Sequence, residues 1–176
     1  MRKRNALKTF VVMTDNVRGI KSKLNSLNDI LESEKPAMIA LTETKLMEED
    51  VIHFEGYITW RVDRKKGNEG GGVLIAFKDD FKHVMNVVRE ENENMEMLWV
   101  KLDNGVTKAR IGIVYMPQED SKTVGEIKEI YKKIEQELEV AAALNEKIIL
   151  MGDFNCKVGG CIPGCTAAFC YNCRVL

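Results

Sequence analysis

The sequence is poor in histidine, proline and long apolar runs. Its 176 residues include only two histidines, His53 and His83, and three prolines, which argues against a histidine-rich metal cluster and a proline-rich linker. The apolar run at residues 10–13 is too short for a signal-peptide core or a membrane span. We therefore expect an intracellular protein that contacts no membrane, and the basic residues 2–4 are compatible with a nuclear location.

A large charge of one sign is also missing, since 26 basic and 27 acidic residues leave a formal net charge of −1. Without a global basic field, any nucleic-acid site has to be a local patch. The composition, with 45% hydrophobic and 30% charged residues, instead predicts an ordinary folded domain with its own core.

Cysteine is missing from the first 155 residues, and all five cysteines lie within residues 156–176. An intracellular chain argues against a disulfide framework. This segment contains one C-x-x-C pair, but its other spacings are irregular and no histidine lies nearby, unlike the repeated ligand pairs of structural zinc sites. We expect that no zinc binds, and we interpret the segment as a tail.

The first 44 residues show a strand–helix–strand pattern. The runs "KTFVVMT" (8–14) and "AMIALTET" (37–44) predict buried strands. Between them, apolar residues recur at helical spacing, namely Ile20, Leu24, Leu27 and Leu31. Pro36 marks the exit from that helix. Such a unit favours two parallel strands joined by a right-handed crossover.

The rest of the chain predicts a meander followed by a second unit of the same kind. Five strand-like runs without intervening helices are expected to pair largely antiparallel: "GYITWRV", "GGGVLIAF", "HVMNVVR", "EMLWVKL" and "ARIGIVYM". Residues 124–147 predict the clearest helix, with an apolar face formed by Ile127, Ile130, Ile134, Leu138 and Ala142. The run "KIILMGD" (147–153) then predicts a final strand, so the fold class is mixed α/β (α+β).

Polar residues stand at the ends of the four strands of these two units. They are Asn16, Glu43, Tyr115 and Asp153, with Asn155 just beyond. Ligands of open α/β sheets bind beyond the carboxyl ends of the parallel strands. Carboxylates suit a hard cation such as Mg²⁺, and amide or hydroxyl groups can orient a phosphate or a water molecule. Any one of these residues alone is better explained as part of a turn, but four such strand ends at one rim favour a shared site.

Five motifs in order resemble the endonuclease/exonuclease/phosphatase superfamily: "DNVRGI", "ALTETKL", "GYITWRVDRKKGNEGGGVLIAF", "GIVYMPQ" and "ILMGDFNCKVG". The resemblance is closest to the endonuclease domains of non-LTR retrotransposons and to host proteins derived from them, of the craniofacial development protein 2 type. It covers nearly the whole chain. Residues 1–155 would be the amino-terminal portion of such a domain, and residues 156–176 a drifted, cysteine-bearing part of the same truncated domain.

The resemblance implies a four-layer αββα sandwich, present here in part, with an Mg²⁺-dependent site (Mn²⁺ as the substitute) that hydrolyses DNA phosphodiester bonds. Glu43 would bind the metal, Asn16 would orient the phosphate or metal, and Tyr115 would contact the phosphate. Asp153 would position or activate the attacking water, with Asn155 beside it.

The segment 61–66 offers a basic patch for the DNA backbone through Arg61, Arg64 and Lys65, and a solvated turn is the equally good alternative. Gly70, Gly71 and Gly72 predict a turn or bulge before a strand, since the pattern of a P-loop does not follow them.

The sequence departs from the family where the family completes its site with a later aspartate and a Ser-Asp-His-like motif. Neither His53 nor His83 has that context, and both are interpreted as ordinary surface or half-buried residues. The resemblance therefore implies a weak or inactive endonuclease. The alternatives are a non-enzymatic relic of a retrotransposon and an interaction domain, and the oligomeric state stays open.

Overall fold

The computed structural model describes residues 11–64, 70–81, 85–88, 95–116 and 124–155, and every structural statement below refers to these residues. Two helices are described, α1 (Leu24–Glu34) and α2 (Val124–Ala143). The strands are β1 (Val12–Asn16), β2 (Met38–Thr42), β3 (Tyr57–Val62), β4 (Val73–Lys78), β5 (Met85–Val88), β6 (Met97–Asp103), β7 (Lys108–Tyr115) and β8 (Lys147–Asp153).

The strands form two four-stranded sheets with the orders β1-β2-β4-β3 and β5-β6-β7-β8. β1 and β2 are parallel, as are β7 and β8, and each pair is joined through a helix, as the sequence predicted. The remaining pairs are antiparallel, which confirms the expectation for the middle of the chain. The meander is divided between the two sheets, because the chain leaves β4 through a short 3-10 turn, Asp79–Phe81, and enters β5 in the second sheet.

Three apolar clusters show that the layers are stacked as helix, sheet, sheet and helix. Side chains alternate between the two faces of a strand, so neighbouring residues of β2 serve different layers. Ile39 and Leu41 pack with Leu27 and Leu31 of α1. Met38 and Ala40 face the second sheet, where the inter-sheet core also contains Ile75, Phe77, Leu98, Val100, Ile111 and Ile113. On the far side, α2 packs against the second sheet, and the predicted αββα sandwich is confirmed.

Helix α1 has the predicted buried face, and it ends at Glu34, two residues before Pro36. Leu27 and Leu31 are buried, and Leu24 packs at the edge of the same cluster. Lys35 adopts a left-handed conformation with φ +46°, and its N–H donates to the Leu31 carbonyl at 3.1 Å. This closes the last turn, because the next residue, a proline, disfavours the helical conformation in the residue before it.

Helix α2 ends earlier than predicted, and its buried face differs at one position. Ile130 and Ile134 are buried, as expected, but Ala142 is exposed and Ala141 is buried in its place. The reason is the helical period of about 3.6 residues, which places positions 134, 137 and 141 on the same side of the helix. The face therefore includes Glu137, which is only 5% exposed.

Glu137 is tolerated there because it belongs to a buried ion group beneath α2. Arg110 of β7 is 2% exposed, donates from Nε to Glu146 at 2.8 Å and forms an ion pair with Glu137 through Nη1. Burial alone lowers the pKa of the Arg110 guanidinium, but the hydrogen bonds to Glu146 and Glu137 outweigh burial and raise that pKa above its ordinary value. Charges removed from water persist only when they are paired in this way.

Strand β8 forms the edge of the second sheet within the described part of the chain. No helix in the described ranges is long and apolar enough to cross a membrane. The cysteines and the tail at 156–176, like Lys65 and His83, lie outside the described residues.

Candidate active site

The five polar residues singled out at strand ends come together between the two sheets. Asn16 is the last residue of β1, and Glu43 follows β2 in the same sheet. Tyr115 and Asp153 are the last residues of β7 and β8 in the other sheet, and they are register partners. Asn155 follows two residues later. The two parallel pairs thus deliver their carboxyl ends to one rim of the sandwich.

The Asn16 amide connects the acidic groups of the two sheets. Its Nδ2 donates to Glu43 Oε1 at 2.8 Å and to Asp153 Oδ2 at 2.7 Å. Its Oδ1 accepts the Arg18 N–H at 3.2 Å, which turns the amide so that the NH₂ group faces the carboxylates. The Tyr115 hydroxyl donates to the same Glu43 oxygen at 3.1 Å. Two negative charges therefore lie within hydrogen-bond distance of one neutral nitrogen.

Asn155 is tied to this group through its backbone. Its N–H donates to Asp153 Oδ1 at 3.0 Å, so both oxygens of Asp153 accept hydrogen bonds. Its Nδ2 donates to the Met116 carbonyl at 2.5 Å. The φ of Asn155 is +44°, a left-handed conformation that asparagine adopts more readily than most residues. The tight turn after Asp153 therefore has a residue suited to it.

Gly152 brings β8 close enough to β7 to place Asp153. Its φ is +133°, and a Cβ built on it would lie 1.8 Å from the Val114 carbonyl oxygen. Only glycine fits this backbone conformation and this approach. The "GD" of the sequence motif is therefore explained by backbone geometry, because the glycine lets the strand end in a carboxylate that points at the rim.

The segment after Glu43 is held by the glycine run 70–72. Lys45 N–H donates to the Gly71 carbonyl at 2.8 Å, and Thr44 N–H donates to the Gly72 carbonyl at 3.3 Å. A Cβ at Gly72 would lie 2.4 Å from Thr44 Oγ1. The glycine run thus makes a close backbone contact with the segment that follows Glu43. Glu43 itself adopts a left-handed conformation with φ +52°.

Tyr115 keeps its proton at neutral pH in this environment. Burial and the neighbouring Glu43 carboxylate raise the pKa of its phenol to about 12, and they outweigh the lowering by Asn155 and Arg64. The hydroxyl is therefore a hydrogen-bond donor to anionic groups over the whole physiological range.

The donor set fits a divalent cation. Mg²⁺ and Mn²⁺ are bound through oxygen, often by one or two carboxylates together with water and substrate phosphate. Glu43 and Asp153 are two such groups, joined by one amide and contributed by opposite sheets. Within the described ranges, no three residues among histidine, cysteine, aspartate and glutamate cluster as metal ligands. The two carboxylates therefore suit an ion that retains several water ligands.

The sequence of residues 13–164 matches the endonuclease/exonuclease/phosphatase family. The chain belongs to this family. Members of the family are typically metal-dependent. A search of curated proteins found no match to the sequence.

Solved structures of the family share the fold at low identity. The endonuclease domain of TRAS1, a telomere-specific non-LTR retrotransposon, is 17% identical with a TM-score of 0.60, over 84% of this chain and 61% of that one. An AP endonuclease from Archaeoglobus fulgidus is 19% identical, with a TM-score of 0.57 and coverages of 84% and 58%. The 3′ phosphatase NExo from Neisseria, bound to a product DNA hairpin, is 16% identical, with a TM-score of 0.57 and coverages of 84% and 58%. The chain thus spans about 60% of the length of these structures.

Of the two described basic residues predicted to contact DNA, one borders the site and the other does not. The Arg64 guanidinium carbon lies 5.8 Å from the centre of the Tyr115 ring, so Arg64 borders the site. Arg61 is not brought to the site residues. Its Nη2 donates to the carbonyls of Met47 and Glu48 at 3.1 and 3.3 Å, and its Nε pairs with Asp63 at 3.0 Å. These contacts hold the loop before β3, and Lys65 lies outside the described residues.

His53 does not belong to the site. It is exposed and precedes β3, whose first residue, Tyr57, pairs with Lys78. The site lies at the other end of that strand, where Val62 pairs with Val73. Six residues of strand separate the two ends by about 20 Å. The expectation that His53 is an ordinary surface residue is therefore confirmed.

Sequence reasoning missed Glu96, which precedes β6 and contacts both Arg64 and the glycine run. No local pattern marks it, since it stands in a charged segment among several other acidic residues. Its neighbours come from two sheets, so only the assembled sandwich reveals its position.

Proposed function

We propose that this site is the ion- and phosphate-binding half of a metal-dependent DNA phosphodiesterase of the endonuclease type. The observation that carries the proposal is the single amide of Asn16 shared by Glu43 and Asp153. A neutral donor between two carboxylates leaves net negative charge at the rim, which favours a divalent cation. The Neisseria relative bound to product DNA supports DNA as the substrate class.

The ion, Mg²⁺ or Mn²⁺, would be held by Glu43 with help from Asp153, and it would supply charge stabilisation for the phosphoryl oxygens. No covalent nucleophile is required for such a hydrolysis, because positioned dipoles and charges stabilise the developing negative charge. The protein's own groups then have to orient the phosphate and one water molecule.

Asp153 is the residue that orients or activates that water. Its two oxygens are held by Asn16 and by the Asn155 N–H, so the carboxylate has a fixed direction. Tyr115 donates a hydrogen bond to the phosphate, because its phenol stays protonated and its hydroxyl already donates to the anionic Glu43 oxygen. Asn16 holds both carboxylates in place through its two N–H groups, and through them it would orient the metal and the phosphate, with Asn155 beside it.

Tested by itself, the 176-residue chain is expected to nick DNA slowly. His53 lies at the far end of β3, so the described site has no imidazole. General acid–base help of the kind a histidine supplies is worth roughly 10²–10⁴-fold in rate. This observation also favours the second candidate, a surface that binds an ion and nucleic acid without turnover.

The test separates ion binding from hydrolysis. Mn²⁺ binding is followed by electron paramagnetic resonance, and hydrolysis by plasmid nicking in Mg²⁺ or Mn²⁺. The variants are Glu43→Gln and Asp153→Asn, and Glu55→Gln is the matched control, since Glu55 is exposed near His53. We expect wild type and control to bind Mn²⁺ and both site variants to lose affinity at least tenfold.

Slow nicking that requires the ion and disappears in Asp153→Asn supports the enzyme. Ion binding without nicking in any variant supports the second candidate. Equal Mn²⁺ affinity in all four proteins contradicts the assignment of the site.

A further inference from the structure

Glu96 connects three parts of the site rim that come from different strands. Its backbone carbonyl accepts the Tyr115 N–H at 2.9 Å, and its Oε2 accepts the Gly72 N–H at 3.1 Å. Its Oε1 forms an ion pair with Arg64 Nε. The Glu96 side chain is only 10% exposed, so the pair is largely shielded from water. One residue thus joins the second sheet to the loop that supports Glu43.

The space around this carboxylate is kept open by Gly71. A Cβ built there would lie 2.3 Å from Glu96 Oε1 and 2.5 Å from Arg64 Nε. The φ of Gly71 is +74°, which other residues rarely adopt. The glycine run therefore leaves room for an ion pair in direct contact with the backbone that leads into β4.

Held in this way, the Arg64 guanidinium lies against the Tyr115 ring. Its carbon is 5.8 Å from the ring centre, within the range of a cation–π contact. The ion pair with Glu96 uses the Nε–H, while a guanidinium carries further N–H groups on Nη1 and Nη2. The Arg64 side chain is 26% exposed, so it remains accessible to a ligand. A planar donor fixed beside Tyr115, the residue proposed to contact the phosphate, matches the geometry of a phosphate oxygen pair.

We propose that Glu96 is a positioning residue, which holds Arg64 so that the guanidinium binds a backbone phosphate next to the scissile one. This inference rests on the proposed function, because it assigns a nucleic-acid backbone as the ligand. Glu96 touches neither substrate nor ion. It acts through Arg64, and its loss should therefore resemble the loss of Arg64.

The experiment measures binding of a short DNA duplex as a function of salt, with Ca²⁺ in place of Mg²⁺ to prevent hydrolysis. The variants are Arg64→Gln, Glu96→Gln and the double variant. Asp103→Asn is the matched control, since Asp103 lies at the other end of β6 and pairs with the exposed Lys108. It removes the same single negative charge far from the site. Thermal unfolding confirms that each protein is folded.

We expect Arg64→Gln to weaken duplex binding about tenfold and to reduce the slope of log affinity against log salt by ~0.9, the value for one phosphate contact. Glu96→Gln should do nearly the same, and the double variant should be no weaker than Arg64→Gln alone. Arg64→Lys should restore part of the slope, because it keeps the charge, but not the full affinity. Asp103→Asn should leave affinity and slope unchanged.

Several outcomes overturn the inference. Stronger binding and a steeper slope in Glu96→Gln would show that Glu96 competes with the phosphate for Arg64. Additive losses in the double variant, or an unchanged slope in Glu96→Gln, would show a purely structural role. A wild type that binds Mn²⁺ but no duplex also overturns it, while leaving the ion half of the proposed function intact. Duplex binding with the expected pattern but without Mn²⁺ binding keeps the inference and removes the ion site.

Discussion

Gly152 offers the sharpest test of how the fold places Asp153. We consider the substitution Gly152→Ala, which adds one methyl group and no charge. The added carbon would lie 1.8 Å from the Val114 carbonyl oxygen, 2.8 Å from its carbonyl carbon and 2.9 Å from its nitrogen. All three atoms belong to the backbone of β7, so no side-chain rotation can relieve the contact. β8 has to move away from β7, and it carries Asp153 with it.

The size of the effect follows from two costs. A non-glycine residue at φ +133° is strained by about 1–3 kcal/mol, and the clash with β7 adds to this. We expect the free energy of unfolding to fall by at least ~3 kcal/mol. Gly105→Ala is the matched control, because Gly105 also has positive φ, +79°, but a Cβ added there would meet nothing within 4 Å beyond its chain neighbours. That variant should lose only about 1 kcal/mol.

The assay combines urea unfolding with Mn²⁺ affinity. With a urea dependence of ~1–3 kcal/mol per molar, the midpoints of the two variants should differ by roughly 1 M. In the folded fraction, Gly152→Ala should also bind Mn²⁺ at least tenfold more weakly, whereas Gly105→Ala should bind it like wild type. Equal midpoints and equal Mn²⁺ affinities in the two variants would refute the reasoning, since the close approach of β8 to β7 would then not determine the position of the carboxylate.

Three further predictions concern groups outside this contact. Arg110→Met removes the guanidinium that pairs with the carboxylates of Glu137 and Glu146, and the free energy of unfolding measured in urea should fall by roughly 3–5 kcal/mol. In a rapid-mixing absorbance titration, Tyr115→Phe should remove one phenol transition near pH 12. Because the raised pKa of Tyr115 favours the neutral phenol in the fold, its contribution to stability is present below pH ~10 and is lost as pH rises through 12. Burial raises the pKa of the Asp63 carboxyl, so the free energy of unfolding falls as pH rises and this group ionises in the fold. Asp63→Asn should therefore raise the free energy of unfolding at pH 7, and the difference between variant and wild type should vanish in acid.

The zinc prediction can be checked without reference to the fold. Protein purified without added metal should contain no stoichiometric zinc by elemental analysis, since the cysteine spacing in 156–176 does not repeat a ligand pair. One equivalent of bound zinc would contradict that interpretation.

The order of elements and the candidate residues were readable from the sequence. Leu27 and Leu31 of α1, the buried β2 and the strand before Asp153 follow from local periodicity, because a residue's face depends only on its spacing along one helix or strand. The convergence of Asn16 with the two carboxylates also followed, because the carboxyl ends of parallel strands meet at one rim.

The tertiary structure alone decided which strands belong to which sheet and which charged residues serve the site. Arg61 and Arg64 stand three residues apart in one basic segment, yet Arg61 binds the loop before β3 while Arg64 faces Tyr115. Glu96 and Arg110 have no distinguishing local pattern either. Their partners lie 32 and 27 residues away in sequence, and such contacts arise only when the layers pack. Periodicity specifies a face, but the neighbour across that face is set by long-range packing.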